Sequence, residues 1–191
     1  MGLWWAEAAL MAAWWLMWGG FGEAALAQWG IGRIPALVGL AILWAAGWVH
    51  VLPGPGWGSV DLGLVVLSVL GAGLTVLSGR KNWTVSWVVL GALAVAIRSF
   101  APINPAHQTF VPWLGGEAAA LGLLAGAVAA DPVGAGAVAA AAGGLSSLLR
   151  IWLHPNPAAL ASPDWLYSVL AVLIAWATAW VVRFPRPAAR A

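Results

Sequence analysis

The sequence contains no cysteine and few charged residues. Without thiols, the chain has no disulfides, no thiolate metal ligands and no cysteine nucleophile. Aspartate, glutamate, lysine and arginine make up 7% of the 191 residues, whereas a soluble domain carries about 25%. A chain with so little charge cannot cover itself with polar surface in water. The composition therefore indicates a protein whose solvent is lipid.

Apolar residues make up 63% of the chain, and its mean hydropathy is +0.91. A helix needs roughly 20 residues to cross about 30 Å of hydrocarbon, and seven stretches come close to this length. We therefore predict an all-α polytopic membrane protein, a single domain of seven transmembrane helices over residues 1–191. A six-span bundle, with the first segment lying at the interface, is the alternative. The predicted spans are Leu3–Gly19, Ile34–Leu52, Val60–Ser78, Trp83–Phe100, Phe110–Ala130, Val133–Leu153 and Asp164–Val182.

Turn-forming residues separate the spans. Proline and glycine alternate over residues 53–56, and Gly79 precedes a short charged turn. Asp131 followed by Pro132 is typical of a helix start, with the aspartate as N-cap, so a tight hairpin is expected between the fifth and sixth spans. Residues 20–33 fit either a loop or a short interfacial helix. The first span is expected to be a retained helix, because Glu7 stands where a signal peptide would carry basic residues.

The basic residues predict the orientation, because cytoplasmic loops are enriched in lysine and arginine. Six fall on one side of the seven-span bundle and only Arg98 and Arg150 on the other, so we predict an external N-terminus and a cytoplasmic C-terminus. Trp83 and Trp165 lie near helix ends and are expected to be interfacial anchors. The expected location is a bacterial inner membrane, with lipids as partners. No basic cluster indicates a nucleic-acid partner. The six residues are Arg33, Arg80, Lys81, Arg183, Arg186 and Arg190.

Small residues predict where helices approach closely in lipid. Gly122 and Gly126 share a face of the fifth span, and the sixth span is almost entirely alanine and glycine over residues 134–144. We expect these two helices to lie centrally, with their backbones in contact. A homo-oligomer formed through Gly122 and Gly126 is the alternative use of this face.

Ionisable residues concentrate in the predicted outer half and define a candidate binding cleft. Glu117 lies about 10 Å into its helix at 1.5 Å per residue, deeper than the other charges. It is expected to pair with Arg98 or Arg150, or else to be protonated, and Glu7 is the second acidic candidate for these arginines. The candidate cleft residues are Glu7, Asp61, Arg98, Glu117, Ser147, Arg150 and His154.

Two interpretations of these charges remain open: they form ion pairs that fix the helices, or they line a pocket. The function we predict is non-enzymatic, namely binding or transport of a small solute or lipid through an outward-facing polar cleft. A structural subunit of a membrane complex is the alternative. An intramembrane enzyme is the least favoured class, because the sequence has no recognisable catalytic set, metal-ligand pattern or cofactor motif.

The chain resembles the YphA family of small bacterial membrane proteins. The resemblance covers the whole chain and lies in its length, number of spans, tryptophan-rich first helix and short basic C-terminal tail. It implies the same class of helical membrane protein. It implies no activity, because none is established for that family.

Overall fold

A computed structural model describes residues 2–51, 60–100, 111–129, 131–153 and 163–183. Side chains are described for residues 5–51, 60–97, 115–129, 131–153 and 164–182. The described chain is almost entirely helical, which confirms the all-α class. The helices are α1 (Gly2–Trp18), α2 (Glu23–Ala27), α3 (Arg33–Gly47), α4 (Leu62–Leu77), α5 (Lys81–Phe100), α6 (Val111–Val128), α7 (Pro132–Leu153) and α8 (Pro163–Arg183).

Each of the seven predicted spans coincides with a helix of 15 to 22 residues. The ambiguous segment 20–33 contains the short helix α2. Asp131 is the N-cap predicted for α7, because its Oδ1 accepts a hydrogen bond from the Gly134 backbone N–H at 2.7 Å. The second span is shorter than predicted, since α3 ends at Gly47.

A small antiparallel hairpin follows α3, and the sequence did not predict it. Strand β1 (His50–Val51) pairs with β2 (Val60–Asp61), with His50 opposite Asp61. Asp61 was expected to lie inside the third span. Instead it stands in β2, immediately before α4.

Two of the described helical segments are long and apolar enough to cross a membrane, namely Pro132–Leu153 and Asp164–Val182. The other apolar helices are shorter within the described residues: Arg33–Gly47, Leu62–Leu77, Lys81–Ile97 and Gly115–Val128.

Helix α7 is the centre of the bundle. It packs against α4, α5, α6 and α8, and its alanines and glycines from Gly134 to Gly144 are all buried. Such small side chains allow the four neighbours to approach its backbone. The predicted central position of this helix is therefore confirmed.

The glycine seam of α6 faces α8 rather than α7. A methyl group at Gly126 would lie 2.6 Å from Thr178 Cβ, and one at Gly122 would lie 2.7 Å from the Ala171 carbonyl oxygen. Helices α6 and α7 pack against each other as expected, but these two glycines serve the contact with α8 instead. Both are used within the chain, on a face that α8 already covers.

Three polar side chains recur at intervals of seven residues along β2 and α4, and the middle one faces α7. Asp61, Ser68 and Thr75 are all buried, and the Ser68 side chain lies directly against Gly144 of α7. Ser68 Oγ also donates a hydrogen bond to the Leu64 carbonyl at 2.5 Å. Ser68 of α4 therefore lies against the central helix of the bundle.

Candidate functional site

Glu7 of α1 is buried at the end of the bundle where α1, α4 and α8 begin and α3 and α7 finish. Only 5% of the residue is exposed, and its Oε1 accepts a hydrogen bond from Trp165 Nε1 at 3.1 Å. Trp48 lies close to the same carboxyl group. Glu7 Oε2 is buried and accepts no hydrogen bond from the described residues. We refer to this end of the molecule as the Glu7 end.

Two glycines make room for the Glu7–Trp165 pair. A methyl group at Gly47 would lie 2.5 Å from Glu7 Oε1 and 2.7 Å from Trp165 Nε1. A methyl group at Gly63 would lie 2.9 Å from the Gly47 backbone nitrogen and 3.0 Å from the Trp165 ring. Helices α3 and α4 therefore touch beside the indole, and neither glycine tolerates a side chain without displacing the pair.

The β-hairpin brings His50 and Asp61 together. His50 Nδ1 lies 2.6 Å from Asp61 Oδ1, and the pair occupies opposite positions in the hairpin register. The Asp61 side chain is 1% exposed, whereas that of His50 is 29% exposed. The His50 imidazole therefore covers the buried Asp61 carboxylate and is itself partly exposed at the surface of the bundle.

Arg150 in the last turn of α7 pairs with Asp164 in the first turn of α8. Arg150 Nε donates to Asp164 Oδ1 at 3.1 Å, and Nη2 forms a second contact with Oδ2, so the pair is bidentate. An arginine near a helix C-terminus and an aspartate near a helix N-terminus also complement the two helix dipoles. Asp164 is 1% exposed and the Arg150 side chain 34%.

This pairing corrects part of the sequence prediction. Arg150 was expected to pair with Glu117 or Glu7, but its ion-pair partner is Asp164. Glu117 acts on Arg150 electrostatically without replacing that partner. Glu7 is hydrogen-bonded to an indole instead of an arginine. Asp164 lies next to Arg150 because it begins the helix that directly follows α7 in the chain and packs against it.

The structure brings most of the predicted cleft residues to one end of the bundle. Glu7, Asp61, Glu117 and Arg150 lie at the Glu7 end, and Ser147 is buried on α7 one turn before the arginine. Arg98 belongs to the end of α5, but its side chain is outside the described residues. His154 is also outside the described residues.

Trp165 and Asp164 were missing from the predicted set. Trp165 was interpreted as an interfacial anchor because of its place near a helix end, yet it is 0% exposed. Trp83 was interpreted in the same way and is 3% exposed. The sequence did contain a signal for the ion pair of Asp164: this acidic residue directly follows Pro163 at the start of one helix, and the basic residue Arg150 ends the helix before it.

A second polar cluster lies at the opposite end, which we call the Asp131 end. Besides capping α7, Asp131 accepts a hydrogen bond from Trp29 Nε1 at 3.1 Å and one from Arg80 Nη1 at 3.3 Å. The Arg80 guanidinium lies 4.4 Å from the centre of the Trp83 ring. A cavity of about 400 Å³ opens beside these groups.

The described residues contain no group of three or more histidines, aspartates or glutamates able to hold a metal ion. Comparisons with protein-family models, with curated proteins and with solved structures found no match to the chain.

Proposed function

We propose that this protein is a multi-pass membrane protein that binds or transports a small solute or lipid, without catalysis, through the polar groups of the Glu7 end. The proposed setting is a bacterial inner membrane, with the Glu7 end outside. The observation that carries this proposal is Glu7, a buried carboxyl group with one oxygen that has no hydrogen-bond partner among the described residues. Ionisable groups are costly within a membrane and usually mark a functional site there.

The outer surface of the bundle supports the membrane setting. Large apolar side chains are exposed along several helices, including Ile34 at 74%, Leu77 at 85% and Val181 at 71%. Monomeric soluble proteins rarely present such continuous apolar surface, whereas lipid requires it. The lengths of two described helical segments, Pro132–Leu153 and Asp164–Val182, and the charge distribution between the two ends support the same setting.

The balance of charges at the Glu7 end favours a positively charged or hydrogen-bond-donating group on the ligand. The described part of this end holds four carboxyl groups, of Glu7, Asp61, Glu117 and Asp164, and Arg150 forms a bidentate ion pair with the last of them. A donor reaching Glu7 would meet the unpartnered Oε2. Burying that oxygen without a partner costs about 1–3 kcal/mol, so a ligand that supplies the donor recovers this energy.

Glu7→Gln tests this site. Glutamine keeps an acceptor for Trp165 and removes the negative charge. We expect the purified variant to melt at the same temperature as the unmutated protein or higher, because functional charges are often held at a cost to stability. We also expect a panel of small amines and quaternary ammonium ions to include compounds that raise the melting temperature of the unmutated protein only. Glu23→Gln, an exposed position away from the site, is the matched control.

A structural role is the second candidate, favoured by the bidentate Arg150–Asp164 pair. If the charges only hold helices together, Glu7→Gln and Glu117→Gln will both melt well below the unmutated protein. No solute in the panel will then change any melting temperature. That combination of results would contradict the proposed binding function.

The proposed orientation is tested with single cysteines, because the chain has none of its own. Val51→Cys lies in the exposed β1 strand and Lys81→Cys at the opposite end, at the start of α5. A membrane-impermeant maleimide should label Val51→Cys in cells with an opened outer membrane, and Lys81→Cys only after the inner membrane is broken. The reverse pattern would overturn the orientation.

A further inference from the structure

We infer that the Asp131 end carries a binding site for one anionic phospholipid, in the groove between the end of α1 and the start of α3. The groove measures about 560 Å³ and is lined by Trp18, Gly32, Arg33, Ile34, Pro35 and Leu37. This site is distinct from the Glu7 end. The inference rests on the proposed function, because it requires the membrane setting and the inward orientation of Arg33.

Arg33 supplies the positive charge at this groove. Its guanidinium lies 5.7 Å from the centre of the Trp18 ring, which stacks on Trp14 with ring centres 5.4 Å apart. This contact places the guanidinium beside the indole ring, whose π face attracts a cation. Among the described residues, Arg33 forms no ion pair with a carboxylate, whereas Arg80 and Arg150 do.

A guanidinium that rests against an indole and forms no ion pair among the described residues matches a phosphate diester. Arginine binds phosphate through two parallel hydrogen bonds, which lysine cannot reproduce. Holding Arg33 against an indole lowers the conformational entropy lost on binding. In the proposed orientation this end faces the cytoplasmic leaflet, the surface at which anionic lipids attract basic residues.

The apolar part of the groove continues from the arginine along α3. Leu37 lies about 6 Å further along the helix than Arg33, at 1.5 Å per residue. Ile34, Pro35 and Trp18 complete an apolar wall. An acyl chain can therefore follow the groove toward the hydrocarbon while its phosphate stays at the guanidinium, and a free phosphate would leave the apolar wall uncovered.

Aromatic side chains place this groove at headgroup level. Phe21 contacts Trp176 at 5.3 Å and Trp180 at 5.4 Å between ring centres, at the same end of the bundle as Trp18. Tryptophan prefers the membrane–water interface, because its ring is apolar and its N–H is polar. The ring cluster and Arg33 thus meet the lipid at the depth where phosphates lie.

Native mass spectrometry of the detergent-purified full chain tests the site. Phosphatidylglycerol and phosphatidylcholine with identical acyl chains are added separately, and the bound fraction is measured for each. We expect one phosphatidylglycerol to bind preferentially to the unmutated protein. Arg33→Gln should weaken that binding by about tenfold, the effect of one charge-assisted contact, and abolish the preference. Arg33→Lys should restore only part of it.

Lys81→Gln is the matched control, because it removes the same charge from the same end outside the groove, and it should keep the preference. An unchanged preference in Arg33→Gln would overturn the inference. Binding of sn-glycerol 3-phosphate as tightly as phosphatidylglycerol would also overturn it, since the apolar wall would then contribute nothing. A failure of the proposed function would appear in different experiments, namely the cysteine labelling and the melting of Glu7→Gln with the solute panel.

Discussion

Gly71 of α4 provides a quantitative test of the central packing. A methyl group at this position would lie 2.7 Å from the Ala137 carbonyl oxygen, the Ala140 Cβ and the Ala141 backbone nitrogen. Two of these atoms belong to the backbone of α7, which is packed on its other sides and cannot retreat. The matched control is Gly73, two residues along the same helix, where a methyl group would meet no atom of the described residues within 4 Å.

The expected magnitudes follow from two opposing effects. Replacing glycine by alanine inside a helix stabilises it by about 0.8–1.0 kcal/mol, and this gain applies to both positions. Overpacking at Gly71 costs about 1–3 kcal/mol, because the new methyl group must displace α7. Gly73→Ala should therefore be more stable than the unmutated protein. Gly71→Ala should be less stable than Gly73→Ala by the full overpacking energy.

Reversible unfolding in mixed micelles, followed by tryptophan fluorescence as the denaturing detergent fraction rises, gives the free energy of unfolding for both variants. Circular dichroism on the same samples checks that each variant begins with the helix content of the unmutated protein. Equal unfolding free energies for Gly71→Ala and Gly73→Ala would refute the close contact between α4 and α7 and, with it, the central position of α7.

Two further sets of substitutions test the polar groups at the opposite ends of the bundle, with the same unfolding measurement. Asp131→Ala should lower the free energy of unfolding by about 1–2 kcal/mol, because α7 loses the side chain that caps the Gly134 N–H. Asp131→Asn keeps a capping oxygen and should lose much less stability. Equal losses in the two variants would contradict the capping role. Asp164→Asn should cost about 2 kcal/mol, less than the 3–5 kcal/mol of a fully buried pair, because a third of the Arg150 side chain is exposed. Adding Arg150→Gln should then cost little more, and full additivity would show that the two residues are not coupled.

The helices were predictable because the length of an apolar run is a local property of the sequence. The β-hairpin was not, since its strands of two residues have no readable periodicity and their pairing depends on the register of His50 with Asp61. The end of α3 at Gly47 was misplaced for the same reason, because the apolar run continues beyond it into β1.

The sequence predicted which ionisable residues lie at the site, but it did not predict which of them pair with each other. The sequence places several ionisable residues at one end, yet it does not say which carboxylate lies nearest to Arg150. The burial of Trp165 depends on Gly47 and Gly63, which are about a hundred residues away in the chain. Only the packing of α3 and α4 against α8 decides whether that indole faces lipid or Glu7.

The enclosed position of α7 has a consequence for how the protein is made. From residue 134 to 144 its only side chain larger than a methyl group is that of Val138, so the packing of this half of the helix depends on close approach by its neighbours. Three of its four neighbours, α4, α5 and α6, precede it in the chain, and α8 follows. A nascent chain stopped after α7 would leave uncovered the face of Gly143 that lies against Ser168 of α8. The packing around the central helix is therefore complete only once α8 has been made.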